Sequence, residues 1–385
     1  MIASPSGSCY FLFGSGYSNT FDSWSLEGLC LQSGNLFLDT ATAREEHDPY
    51  PLGGYYGHNY YNGGRYLVGE AVSPILNVDG AQQAIVSWNI ETPAGTWIEV
   101  LLKVRLNEQW MHPVSMGVWS SDIAFASHSV PFEDQYLRVD TDVLKLKTPY
   151  KADALQIIVR LFSTSTDSPC LKSVMLTLSG SSSVSGYTSA SRTCVERVLD
   201  VPLCSQMVYP NGGNVWCSPT CIAMLLGYWG IGGQNCSDRV RDAVQGVFDW
   251  MYGGYGNWSF NVAYAASKGL EAYLVRMRSL ADAERWIDIG VPLAISYAWG
   301  KGELTGAPIE SSDGHIVVLA GFDSNGDPVI NDPAASSDEA VCRTYKRDEV
   351  EGLWLGHSYG TTYVIFPSDH RLARRLIEEA SHMCS

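Results

Sequence analysis

Over residues 1–180, apolar and polar positions fall into short runs of strand length, and no stretch of comparable length shows the three-and-four spacing of a helix. Ala84–Ile90, Thr96–Leu106, Tyr136–Leu146, Leu155–Phe162 and Leu171–Leu178 are rich in β-branched and aromatic residues, the types that fit a pleated, half-buried surface. Turn formers such as Pro93-Ala-Gly95 and Pro149 separate them. Several short strands at regular spacing predict an all-β sandwich, jelly-roll-like, over residues 1–180.

The pattern then breaks. Gly180–Ser191 has nine small polar or glycine residues and no charge, so 181–194 reads as a Ser-rich linker. Beyond it the apolar spacing becomes helical over Pro219–Trp229, with Pro219 suited to a first turn, and over Ser237–Phe248. Phe260–Lys268 and Ala281–Ile289 follow, each closed by a glycine, Gly269 and Gly290, in the manner of a helix C-cap. Strand-like runs come next at Pro292–Tyr297, His315–Phe322, Pro328–Asn331 and Thr361–Phe366. Helices followed by antiparallel strands predict an α+β domain over 195–370, with a short helix, Arg371–His382, inside a terminal segment 371–385.

Composition narrows the function. Of 385 residues 45% are hydrophobic and 17% charged, enough apolar material for two cores. The formal charge of −16 is spread over both halves and excludes a nucleic-acid partner or an anionic membrane surface, both of which need basic patches. The longest apolar runs fall far short of the roughly 20 residues that cross a bilayer, so membrane insertion is not expected. Met1-Ile-Ala-Ser-Pro has neither the basic nor the apolar region of an export signal, which leaves a cytoplasmic protein and an exported one with its signal removed both open. Tyr50–Gly69 carries Tyr55, Tyr56, Tyr60, Tyr61 and Tyr66 among glycines. It reads first as an aromatic loop packed on its own domain, and second as a stacking surface for a glycan or cell-wall polymer.

The ten cysteines lack the paired spacing of a zinc or redox site, and most read as small buried hydrophobes. Cys217 is different. It lies in Gly212-Gly-Asn-Val-Trp-Cys-Ser-Pro-Thr-Cys221, directly before a helix, where the positive end of the helix dipole favours a thiolate. Cys221, one turn inside, lacks that advantage. His315 opens the apolar strand Ile316–Ala320, and a cysteine at a helix start with a histidine at a later strand start is the order of Cys–His nucleophilic catalysis. Asp323-Ser-Asn-Gly-Asp327 predicts a turn between two hairpin strands. A turn centred near residue 325 leaves Asp332 about three residues short of opposing His315, a gap that a bulge or the Pro333 kink would close. A carboxylate there would orient the imidazole, while Asn331 should face the opposite way. Gln206, in the polar loop before Cys217, is placed to donate to an oxyanion together with the Cys217 amide. Trp216, Trp258 and Tyr255 are candidates to line a substrate cleft. The turn cluster fails as a calcium loop, since Pro328 and Ala334 stand where glycine and glutamate are needed, and no metal or other cofactor is implied.

Val201-Pro-Leu-Cys-Ser-Gln206, Trp216-Cys-Ser-Pro-Thr220, Gly256-Asn-Trp-Ser-Phe-Asn261, Gly314–Phe322 and Asn331-Asp-Pro333 resemble, in order and spacing, the papain-like cysteine peptidases of cysteine peptidase family 39. The nearer likeness is to its stand-alone bacterial branch, whose β-rich N-terminal region is matched more loosely by Ser87–Trp97 and Val139-Asp-Thr-Asp142. The resemblance implies a papain-like fold, Cys217 as nucleophile, His315 as general base and acid, Asp332 as orienting carboxylate and Gln206 as oxyanion donor. It implies a peptide or protein substrate, and export or a cell-envelope location. The leader-peptide substrates of transporter-linked members do not carry over, because the membrane and nucleotide-binding domains that accompany them are not in this chain. A transpeptidase or ligase, or a cell-wall amide hydrolase, would use the same residues. A binding or adhesion protein acting through the β-domain is the alternative without catalysis.

Overall fold

The computed structural model describes residues 8–180 and 196–381; the linker 181–194 lies outside them. The described residues form two compact units, one of 8–180 with 248–263 and one of 196–247 with 264–379.

The first unit consists of two eight-stranded sheets in which the paired strands run antiparallel. Gln83–Glu91 and Cys170–Ser179 form the centre of one, Thr96–Leu106 and Ala152–Ser163 the centre of the other. Trp88, Trp97, Trp119 and Phe162 are fully buried. Burial of each such side chain contributes roughly 1.5–3 kcal/mol. Trp97 and Phe162 stack at 5.2 Å, and Tyr61 and Tyr66 close the same cluster. The aromatic loop therefore packs on its own unit. The Tyr60 and Tyr61 hydroxyls donate to the buried Glu99 at 2.8 and 2.7 Å, which pairs each polar tip with an acceptor. The expected single strand Tyr136–Leu146 is instead a hairpin of Leu137–Asp140 and Val143–Leu146, because Thr141 turns into the left-handed region at φ 56°.

Segment 248–263 joins this unit through polar contacts. Asp142 Oδ2 accepts from the amides of Trp258 and Ser259, the first two residues of helix α3 (Trp258–Ser267). Ser259 Oγ donates to Val86 O at 2.7 Å, and Asp249 Oδ1 accepts from the Ser129 amide at 3.0 Å. Two separated motifs, Val139–Asp142 and Gly256–Asn261, thus meet as a carboxylate capping a helix. Burial raises the Asp142 pKa to about 7 against the lowering effect of those amides.

The second unit is built on a seven-stranded antiparallel sheet. Its main path runs Leu270–Arg276, Thr361–Pro367, Leu293–Trp299, Ser312–Phe322, Pro328–Asn331 and Cys342–Thr344, and Arg197–Val198 adds to Ser312–Phe322. Helix α1 (Cys217–Tyr228) packs on Ser312–Phe322 and on α2 (Cys236–Gly246). Helices α4 (Leu280–Asp288), α5 (Arg347–Ser358) and α6 (Arg371–Ser381) complete it. Leu270–Arg276 and α5 are elements that the apolar pattern did not announce.

The cysteines need a correction. Cys204 and Cys236 form a disulfide, Cys9 is disulfide-bonded too, and Cys342 is exposed. Among the described free cysteines only Cys170 and Cys221 are buried as small apolar residues. Sequence spacing does not reveal which thiols meet in space, so the pairing was hidden.

Candidate active site

Helix α1 starts without a side-chain cap: Trp216 holds the N-cap position and makes no capping bond. Cys217 is the first helical residue, so its sulfur sits at the positive end of the helix dipole. The backbone amides of Ile316 and Ser218 and the His315 side chain all hydrogen-bond to it.

His315 lies in the strand Ser312–Phe322 opposite Tyr297 and is 4% exposed. Its Nε2 is 2.8 Å from Asp332 Oδ1, which leaves Nδ1 for the sulfur. The Trp299 ring packs edge-on against the imidazole at 5.5 Å. Asp332 is fully buried. Its Oδ1 also accepts from the Ala334 amide at 3.0 Å, and its Oδ2 from the Tyr345 hydroxyl at 2.8 Å.

The hairpin geometry explains how His315 and Asp332 meet. Asp323 Oδ1 accepts from the amides of Asn325 and Asp327, closing the turn. Val318 pairs with Asn331, and a bulge shifts the register between Leu319 and Gly321. The strand then ends, and Asp332 leaves the ladder with its amide on Val341 O at 2.9 Å. Asn331 points elsewhere and donates to Val201 O.

Burial by itself would lower the His315 pKa, but the Asp332 charge and hydrogen bond, with the Cys217 contact, raise it to about 10. Burial would raise the Cys217 pKa, yet the His315 hydrogen bond and charge hold the thiol below its ordinary value. Asp332 is held low against burial by His315, the Tyr345 hydroxyl and the Ala334 amide. Together these directions favour the thiolate, the imidazolium and the carboxylate forms of the three groups. Cys221 is the contrast. It is fully buried, its pKa is pushed well up by burial, and its Sγ–H donates to Ile316 O at 3.2 Å.

Gln206 is buried on a loop tied to the one carrying Asp332. Its amide donates to Pro333 O at 2.8 Å, and the neighbouring Ser205 Oγ donates to Ala335 O. Gln206 Oε1 has no hydrogen-bond partner among the described residues. Gly213 is required there, because a Cβ would fall 2.1 Å from Gln206 O.

The structure thus joins Cys217, His315 and Asp332 in one hydrogen-bonded array, ties the Gln206 loop to the Asp332 loop, and sets Trp216 next to Cys217, packed on Tyr209 at 5.5 Å. Tyr255 and Trp258 belong to the β-rich unit, where Tyr255 packs on Phe248 at 5.3 Å and Trp258 donates its amide to Asp142. Sequence reasoning missed Tyr345 and Trp299. Trp299 lies two positions past the expected end of its strand, and a longer strand would have put it beside His315. Tyr345 left no sequence signal, since only tertiary folding brings it to Asp332. Among the described residues no cluster of His, Cys, Asp and Glu is arranged to hold a metal ion, and no helix is long and apolar enough to cross a membrane.

A thiol, an imidazole and a carboxylate in this order, on a helix start and an antiparallel sheet, fit the peptidase class. Residues 198–361 match the peptidase C39-like family, and residues 15–179 match the peptidase C39 N-terminal domain. The chain carries a C39-like peptidase domain and a C39 N-terminal domain, in agreement with the resemblance carried by its motifs, and the former supports a cysteine peptidase as its class. Among solved structures it is similar to one titled as a C39-like peptidase from Bacillus anthracis, at 20% identity and a TM-score of 0.32, over 44% of this chain and 98% of that one. It is similar at 10% identity and a TM-score of 0.21 to TmCBM61 in complex with β-1,4-galactotriose, over 41% of this chain and 89% of that one. A third is the Clostridium thermocellum endo-1,4-β-D-xylanase 10B with xylohexaose, at 14% identity and a TM-score of 0.22, over 50% of this chain and 31% of that one. No curated protein matches the chain significantly.

Proposed function

We propose that the chain is a papain-like cysteine endopeptidase, with a jelly-roll-like accessory domain, that hydrolyses peptide bonds through Cys217, His315 and Asp332. The observation carrying this reading is the array in which His315 Nε2 meets Asp332 at 2.8 Å while the same ring hydrogen-bonds Cys217. The Cys217 thiolate attacks the scissile carbonyl carbon, and the oxyanion that forms takes hydrogen bonds from the Cys217 amide and the Gln206 side chain. The His315 imidazolium gives its proton to the leaving amine as the C–N bond breaks, leaving a thioester. Water, deprotonated by His315, then attacks the thioester, releasing the acid and restoring the thiolate. Asp332 stabilises the imidazolium throughout.

The test is turnover of a peptide library by the full chain and by Cys217→Ala, with iodoacetamide labelling followed by mass spectrometry. Loss of activity in the variant and first labelling at Cys217 are expected; full activity in Cys217→Ala overturns the mechanism. An amine acceptor could intercept the same thioester, so aminolysis measured against hydrolysis on one acyl donor separates a transpeptidase or ligase from a hydrolase.

A second reading concerns the β-rich unit as a binder of glycan or cell-wall polymer. Tyr56 is 78% exposed and held at φ 52°, a region that a bulky residue adopts at a cost, and Tyr50 and Tyr252 are exposed as well. Rings presented this way suit stacking on sugar faces. Retention on insoluble peptidoglycan that disappears in Tyr56→Ala supports it; equal retention rejects it. An exported or cell-envelope location accords with the Cys204–Cys236 disulfide, since such bonds persist in oxidising compartments.

A further inference from the structure

Beside His315 the second unit contains a groove of about 680 Å³. It is walled by the end of the strand Leu293–Trp299, the loop that follows, the start of Ser312–Phe322 and one face of α5. On α5 it is lined by two glycines together with Leu353 and His357. Gly352 and Gly356 stand four residues apart, on one helical face, and both line the groove. Glycine weakens a helix interior, yet nothing in the fold demands it here. A Cβ at either position would meet no atom within 4 Å, and neither has a left-handed φ. The fold tolerates a side chain at both positions, and the chain keeps them empty.

Two further observations point to a ligand. Trp299 lines the groove, is 4% exposed, and packs on the His315 ring. Its indole N–H has no hydrogen-bond partner among the described residues, and an unmet buried donor is costly until an acceptor arrives. The groove also has a charge of its own. Lys301 is ion-paired with Glu310 at 2.6 Å, and Glu303 Oε2 accepts only the Gly300 amide at 2.6 Å. That leaves Glu303 and Asp313 as lining carboxylates without an ion pair among the described residues, in a groove that His357 also lines.

Position assigns the occupant. In the proposed mechanism His315 hands its proton to the leaving amine, so the chain beyond the scissile bond departs on the imidazole's side. The groove begins at Ser312 and Asp313, directly before His315, and at Trp299, against its ring. We propose that it binds the leaving-group segment of a peptide substrate as an extended strand, its backbone lying against Gly352 and Gly356, with a preference for Lys or Arg facing Glu303 and Asp313. The proposal rests on Cys217 and His315 acting as above.

The experiment compares two substrates with one acyl part: a peptide extended three residues beyond the scissile bond and containing Lys, and a truncated one ending in an aminocoumarin amide. Gly356→Leu fills the floor with a better helix former, and its melting temperature checks the fold. The ratio of kcat/KM on the extended to the truncated substrate is expected to fall about tenfold, the discrimination one added apolar group commands in a shaped site. Asp313→Asn is expected to reduce the preference for Lys over Glu in the extended segment by about three- to fivefold. An unchanged ratio, or equal loss on both substrates, overturns the proposal. Binding of the Lys peptide to full-length Cys217→Ala, read by fluorescence anisotropy, separates this from the catalytic reading. If the wild type turns nothing over but Gly356→Leu still weakens that binding, the groove stands and the mechanism falls. If turnover depends on Cys217 but neither binding nor the ratio responds to Gly356→Leu, the reverse holds.

Discussion

Helices α1 and α3 begin with the same physical resource, free backbone N–H groups and the positive end of a dipole, and the chain uses it in opposite ways. At α3 the buried Asp142 accepts from the first two amides, and Asn257 Oδ1 accepts from the Phe260 amide at 3.0 Å. At α1 the N-cap residue Trp216 makes no capping bond, and a thiol stands at the first helical position. The two buried carboxylates differ in parallel. Asp142 accepts from amides and has a carboxylate, Asp249, as its charged neighbour, and burial drives its pKa up to about 7. Asp332 faces His315, which holds its pKa low against equal burial. A buried carboxylate without a cation is a cap whose charge is marginal. With an imidazolium 2.8 Å away it is a permanent anion able to set another group's protonation.

The comparison can be broken at either end. Cys217→Ala is expected to lower peptide kcat/KM by about 10⁴–10⁶-fold while leaving the melting temperature nearly unchanged, because alanine is a good helix former at the first position of α1. Asp332→Asn should cost about 10²–10⁴-fold and reshape the pH profile. In the wild type, activity should fail on the acid side as the thiolate protonates, and on the alkaline side as pH rises through about 10 and the imidazolium is lost. In Asp332→Asn the alkaline limb should move down toward the ordinary histidine range near 6.5; an unmoved limb would mean that Asp332 does not hold the proton on His315. The same shift has a stability side. The raised His315 pKa contributes stability that is full below about pH 6.5 and is lost as pH rises through about 10.

Smaller effects lie in the scaffolds. Replacing Cys204 and Cys236 by Ser opens a 32-residue separation and should destabilise the second unit by about 3–4 kcal/mol on the chain-entropy estimate, read by chemical denaturation. Asp142→Ala should cost the first unit about 1–2 kcal/mol, the worth of a cap. Because the folded Asp142 pKa is raised, the folded state holds a proton that the unfolded state has released. Stability should therefore fall as pH climbs from about 4 toward 7, and Asp142→Asn should flatten that slope.

Local order was the legible part of the chain. Thr96–Leu106 and Pro328–Asn331 have the bounds that their residues suggest, and the glycines after α3 and α4 stop the helices at φ 91° and 87°. α5 escaped because Gly352 and Gly356 interrupt its apolar spacing and only scattered residues such as Val350, Trp354 and Leu355 are buried. The grouping of 248–263 with the β-rich unit depends on Asp142, more than a hundred residues earlier, and no local pattern encodes that. The site shows the same division. The helix start at Cys217 and the strand at His315 were readable position by position, whereas the one-residue bulge and the departure of Asp332 from the ladder, which together bring it to His315, are not marked in the sequence. Tyr345 and the Cys204–Cys236 bond are purely tertiary facts.

The hydrogen bond from the Gln206 amide to Pro333 O makes that single N–H a gauge of the whole centre. It is protected from solvent deuterium only while the loop bearing the amide donor and the loop bearing the carboxylate stay together. Its exchange rate therefore reports how often the assembled site comes apart, without a probe touching the sulfur, the imidazole or a substrate.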